Sequence, residues 1–171
     1  MKKFARKWAL PLRWWVCFTL INVATVILYL TGTIDWINKI DFTKLSFTIY
    51  AIFYIFSVRT GILTYRASKT KQSDLTEYFI KNESGWFAAD SLLTIGMIGT
   101  VIGFIYMLST SFTELSTANV STIRTALAKL SVGMSTALFT TAAGLICSLL
   151  LKIQLFDLNN YLDRRNNELK E

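Results

Sequence analysis

Four apolar stretches separated by polar segments order this sequence: Trp14–Ile34, Leu45–Tyr65 with Arg59 inside it, Ser91–Thr113 and Leu130–Leu151. A helix needs about 20 mostly apolar residues to cross a bilayer, and each stretch is of that order. The pattern predicts an all-α integral membrane protein with four transmembrane helices, about 12–34, 45–66, 91–113 and 128–154. They form a single domain over residues 1–171. Between the second and third, the polar segment Lys69–Ser84 carries Leu75, Tyr78 and Phe79. It predicts a short amphipathic helix lying at the cytoplasmic face. Past the fourth, Leu155, Leu158, Leu162 and Leu169 recur near helical spacing, so that helix is expected to continue beyond the membrane.

The third and fourth stretches differ from the first two. Gly96, Gly99, Thr100 and Gly103 recur at spacings of three and four, and so do Gly133, Ala137, Thr140, Thr141, Gly144 and Ser148. Such spacings put each set on one helix face. A small face lets two backbones approach inside lipid, where hydrophobic association has no drive. Hydroxyls there are costly if turned to lipid and useful along a shared polar seam. The first two stretches, rich in aromatic and branched side chains, suit an outer layer, and the last two an inner one.

Charge sets the orientation. Lys2, Lys3, Arg6, Lys7 and Arg13 precede the first stretch, and the Arg59–Asp90 segment holds Arg59, Arg66, Lys69, Lys71 and Lys81. Lys152, Arg164, Arg165 and Lys170 follow the last, while the other two loops hold only Lys39, Lys44, Arg124 and Lys129. The positive-inside rule then puts both termini and the middle loop in the cytoplasm. The net charge of +7 reads as topology and contact with anionic lipid rather than nucleic-acid binding. Arg59 is expected to snorkel to the interface shared with Arg66, the other reading being a functional intramembrane charge. Trp8, Trp14, Trp15, Trp36 and Trp86 all fall near expected interfaces, as an aromatic belt does. The first apolar run exceeds a typical signal-peptide core and no A-x-A-like site follows it, so it is expected to be retained. Cys17 and Cys147 sit in different apolar stretches and are expected to pack as thiols.

Two motifs carry a resemblance. Ile98-Gly99-Thr100-Val101-Ile102-Gly103 resembles the "LGTVxG" signature of the MotA/TolQ/ExbB proton channel family. Ala137-Leu138-Phe139-Thr140-Thr141-Ala142-Ala143-Gly144-Leu145 resembles that family's "ALxxTxxGL" signature in the following helix. The resemblance covers residues 88–156 and implies a homo-oligomeric, pentameric channel with helices 3 and 4 as its inner layer. It also implies a MotB/TolR/ExbD-like single-pass membrane partner, a dimer whose aspartate faces rings of channel hydroxyls. The positions matching those rings are Thr100 and Thr141. Thr140 is a further ion-path candidate, since a doubled threonine resembles sodium-driven members. Gly96, Gly99, Gly103, Gly133, Ala137 and Gly144 are expected to form the packing and pore face. Where some branches carry a glutamate, this chain has Thr136. Flagellar members place a large domain between helices 2 and 3, whereas here the link runs only from Arg66 to Asp90, which disfavours a rotor contact. The lack of a long tail also sets it apart from the long-tailed relatives.

The chemistry of the residues fits a conduit better than an enzyme. The chain has no histidine, P-loop or CxxC, so no catalytic residues, metal site or cofactor are expected, and H+ or Na+ is the transported species. Helices 3 and 4 contain no mid-membrane carboxylate, so the carboxylate that carries the ion is expected on the partner. Asp90, just before Ser91 and Leu92, reads as an N-cap or as a cytoplasmic mouth. The plain alternative for the threonines is a bond back to a carbonyl of their own helix. For the whole chain the alternative is a holin-like or structural tetraspan protein. The expected reading is an ion-channel subunit of an ion-driven motor in the bacterial inner membrane.

Overall fold

The computed structural model describes residues 2–32, 34, 37–38, 41, 43–69, 75–112 and 120–167, with side chains described from residue 11 onward. Within these helices the side chains of 75–76, 110–112, 120–122, 125–126 and 129 are not described. Trp36, Lys39, Lys71, Thr113, Leu169 and Lys170, and the side chains of Lys2, Lys3, Arg6, Lys7, Trp8, Leu75 and Lys129, therefore lie outside the description. The chain forms four long helices: α1 (Lys2–Leu30), α2 (Leu45–Lys69), α3 (Leu75–Phe112) and α4 (Val120–Asn167). Each contains a segment long and apolar enough to cross a membrane.

The helix ends depart from the sequence expectation for local reasons. Helix α1 runs through Pro11 and stops at Leu30 rather than at 34. Gly32 adopts a left-handed φ of 70°, and its N–H donates to the Tyr29 carbonyl, a C-terminal stop that a side chain would strain. Helix α2 starts where expected. Asp41, fully buried, accepts from the Ser46 N–H at 2.9 Å and the Thr43 hydroxyl at 2.6 Å. These bonds satisfy groups that the first helical turn leaves open. At its other end the Arg165 guanidinium donates to the Ala67 carbonyl at 2.7 Å, and the helix extends to Lys69.

The largest correction concerns α3. The amphipathic segment is not a separate helix: residues from Leu75 onward continue without a break into the apolar stretch. Asp90 is therefore mid-helix and not an N-cap. Its backbone carbonyl accepts the Thr94 hydroxyl at 3.0 Å. Helix α4 begins at Val120, before 128, and runs to Asn167, so the expected continuation past 154 is present.

Helices α3 and α4 make the most extensive contact, α2 packs on both, and α1 touches α2 and, more lightly, α4. The core lies where α2 meets the hairpin: Ile49 and Phe53 pack with Leu92, Leu151 and Leu155. A second cluster at the basic end joins Leu63 and Ala67 to Leu158 and Leu162. Trp14 covers Gly61 and donates from Nε1 to the Ser57 carbonyl at 3.2 Å, so it is a packing residue more than a belt residue. Arg59 stands two residues past Ser57, which is bonded to Gln154. That is near the level of the Arg13–Asp157 and Asp90–Lys152 pairs, and together these side chains form a belt of charge on the bundle. Its guanidinium lies 5.6 Å from the Phe56 ring. Cys17 and Cys147 are free thiols.

Candidate ion-path site

The small residues lie between α3 and α4. A Cβ built on Gly103 would meet the Ala137 Cβ at 2.7 Å, and one on Gly99 would meet the Thr140 Oγ1 at 2.6 Å. Gly133 lies against Met107, with the same test atom 2.7 Å from the Met107 Cβ. Gly96 and Gly144 meet each other. All five glycines and Ala137 are buried inside one chain's hairpin, so these residues serve packing there and leave other side chains to form its outer surface.

Close approach brings two hydroxyls together. Thr100 on α3 and Thr141 on α4 hold their Oγ1 atoms 2.8 Å apart. Thr100 also reaches the Met97 carbonyl at 2.8 Å and the Gly96 carbonyl at 3.3 Å. Thr141 reaches the Gly96 carbonyl at 3.1 Å and the Ala137 carbonyl at 3.2 Å. Each hydroxyl has one proton. One proton closes the pair and the other goes to a carbonyl, whichever threonine donates across. Lone pairs remain free on both oxygens. The back-bonding expected of membrane threonines is present, together with a bond between the helices.

Both threonines are half-buried, and their helical neighbours Met97, Phe104, Leu138 and Leu145 are exposed. Helix α2 instead packs beside Leu92, Cys147 and Leu151. The hydroxyl pair thus lies in the groove of the hairpin on the side turned from α2. Thr140 does not share it. One residue earlier on the helix, it is fully buried against Gly99 and donates back to the Thr136 or Ala137 carbonyl. Thr140 thus stands apart from the Thr100–Thr141 pair, because a 100° turn separates the doublet. Thr136 is also fully buried and donates to the Val132 carbonyl at 3.1 Å.

Toward the basic end, Asp90 pairs with Lys152 at 2.8 Å. Ten residues of helix separate Asp90 from Thr100, about 15 Å. The pair is open to its surroundings, with Asp90 63% and Lys152 34% exposed by side chain. Asp90 thus sits on the same helix as Thr100 and at the end of the groove, in an ion pair rather than a cap. Sequence reasoning gave no role to Ser57 and Gln154, a buried polar pair that joins α2 to α4 at 2.8 Å. A lone glutamine past the last apolar stretch was the only signal.

Residues 87–171 match the MotA/TolQ/ExbB proton channel family, a span that takes in the apolar length of α3 and the whole of α4. No curated protein and no solved structure matches the chain.

Proposed function

We propose, from the membership of residues 87–171 in the MotA/TolQ/ExbB proton channel family, that this chain is the ion-conducting subunit of a motor driven by an ion gradient. The observation that carries the reading is the half-buried Thr100–Thr141 hydroxyl pair, flanked by the exposed apolar side chains of Met97, Phe104, Leu138 and Leu145. Five copies surround two single-pass partner helices in a bacterial inner membrane, with α3 and α4 innermost and both termini cytoplasmic. Each partner helix brings a carboxylate to the level of the threonines.

The chain's contribution is oxygen atoms held in place. An H+ or Na+ arriving with the partner carboxylate meets lone pairs on Thr100 and Thr141, while the hydroxyl protons stay on their internal acceptors. Fixed dipoles in a dry site replace part of the water that the ion gives up. Asp90 and Lys152 mark the cytoplasmic end of the groove, where an ion returns to water. Neutralising the partner carboxylate removes the charge that holds it in the groove and frees it to step to the next subunit.

The test is to co-express the chain with a neighbouring gene encoding a single-pass helix that bears an intramembrane aspartate. Native mass spectrometry of the purified assembly and ion flux in proteoliposomes are the readouts. Five copies with two partners, and flux that depends on that aspartate, support the reading. A monomer, dimer or hexamer without flux replaces it with a non-conducting tetraspan protein.

A further inference from the structure

Where α1, α2 and α4 meet at the charged end of the bundle, they line a partly open cavity of about 20 Å³. Its walls include Arg13 and Trp14 of α1, Thr64 of α2, and Gln154 and Asp157 of α4. Gln154 is 4% exposed. Its Oε1 accepts the Ser57 hydroxyl, and its Nε2 has no partner. A buried amide donor left unpaired is rare, because it forfeits its hydrogen bonds to water and gains none in return.

We infer that one water molecule fills this cavity and bridges α4 to α2. Size admits it, since one water needs about 10–15 Å³ on this measure. Chemistry admits it as well. The water accepts from the Gln154 Nε2 and donates to the Asp157 carboxylate and to the Thr64 hydroxyl oxygen. That oxygen has lone pairs free, because its proton goes to the Thr60 carbonyl at 2.8 Å. The result is three hydrogen bonds, the usual number for an internal water. Asp157 is available: the Arg13 guanidinium lies 3.9 Å away, at the limit of an ion pair and beyond hydrogen-bond length.

Other occupants fit less well. A lipid phosphate is larger than the cavity and would face Asp157. A bare cation would face the donor of Gln154 and the Arg13 charge. If the Gln154 amide is turned over, its oxygen faces the cavity instead of its nitrogen. A water serves either orientation, because it both donates and accepts.

Two measurements test the assignment on the intact assembly in lipid nanodiscs. A cryo-electron map fine enough to show waters is expected to contain one compact density within hydrogen-bond distance of the Gln154 amide and of Asp157 or Thr64. An empty void, or density continuous with a lipid headgroup, overturns it. The second is a thermal-stability cycle of Thr64→Val, Gln154→Leu and the double variant. Gln154 and Thr64 share no direct hydrogen bond, so the water is the hydrogen-bonded route by which they couple. The double variant is expected to melt no lower than the worse single variant. Additive losses overturn the proposal, and neither readout depends on ion transport.

Discussion

Gly144 of α4 and Gly96 of α3 bring two helix backbones into contact. A Cβ on Gly144 would lie 2.8 Å from the Leu92 carbonyl oxygen and 3.0 Å from the Gly96 Cα. Backbone cannot swing aside as a side chain can. Gly144→Ala is therefore expected to destabilise the hairpin by roughly 1–3 kcal/mol, the range for overpacking. Gly99→Ala, whose Cβ would lie 2.6 Å from the Thr140 Oγ1 and 2.8 Å from its backbone-anchored Cβ, should cost a similar amount. Gly99→Leu and Gly103→Leu should abolish assembly, and Leu108→Ala, at an exposed site, should not. Melting temperature and assembly yield decide it, and equal yields would mean that the small faces do not set the packing.

The Thr100–Thr141 pair gives the functional test. Thr100→Val and Thr141→Val each remove one hydroxyl and keep the shape. Each should cost stability by about 0.6 kcal/mol, the mean for such bonds between membrane helices. Ion flux with the partner present should fall by about tenfold or more, equivalent to at least about 1.4 kcal/mol in the barrier. Thr94→Val is the control, since that hydroxyl is exposed and donates to the Asp90 carbonyl of its own helix. Full flux in both valine variants would leave the hydroxyls with a packing role alone.

Asp90 should respond as a member of an exposed ion pair and not as a cap. Asp90→Asn is expected to change stability by less than about 1 kcal/mol, because water and salt screen such a pair. Helix content by circular dichroism should stay constant, as α3 passes through this position unbroken. Combining Asp90→Lys with Lys152→Asp should restore any flux that either single change removes. A loss of helix content in Asp90→Asn would contradict the mid-helix placement.

The start of α2 offers a test of local chemistry. Asp41→Ala leaves the Ser46 N–H without its acceptor and should cost about 1 kcal/mol, as helix caps do. Lys44 precedes the helix with a φ of 53°, a left-handed conformation that strains a side-chain-bearing residue. Lys44→Gly should relieve about 1 kcal/mol of strain and so raise the melting temperature. A fall would show that the lysine side chain does more than tolerate the turn.

The membrane helices and the two small faces were legible because they follow from composition and helical spacing alone. The reach of α4 was legible for the same reason, through Leu155, Leu158 and Leu162. The unbroken run of α3 was not. Lys69–Ser84 is polar enough to read as a separate amphipathic helix at the membrane face, and Asp90-Ser91 imitates a helix start in the sequence. Between Thr140 and Thr141, only the relative rotation of two packed helices decides which hydroxyl meets Thr100. The Ser57–Gln154 bond joins positions 97 apart, and no local pattern specifies such a pairing.

The continuity of α3 and α4 has a mechanical consequence. Their 38 and 48 residues make two rods of about 57 Å and 72 Å, each crossing the charge belt without a joint. The one glycine in the first part of α3, Gly85, is covered by Leu155 and cannot act as a hinge. Bending at the membrane surface would break ladder hydrogen bonds in both rods at once. A tilt imposed at Thr100 therefore reaches Tyr78, roughly 33 Å away along the helix, as the movement of one rigid piece.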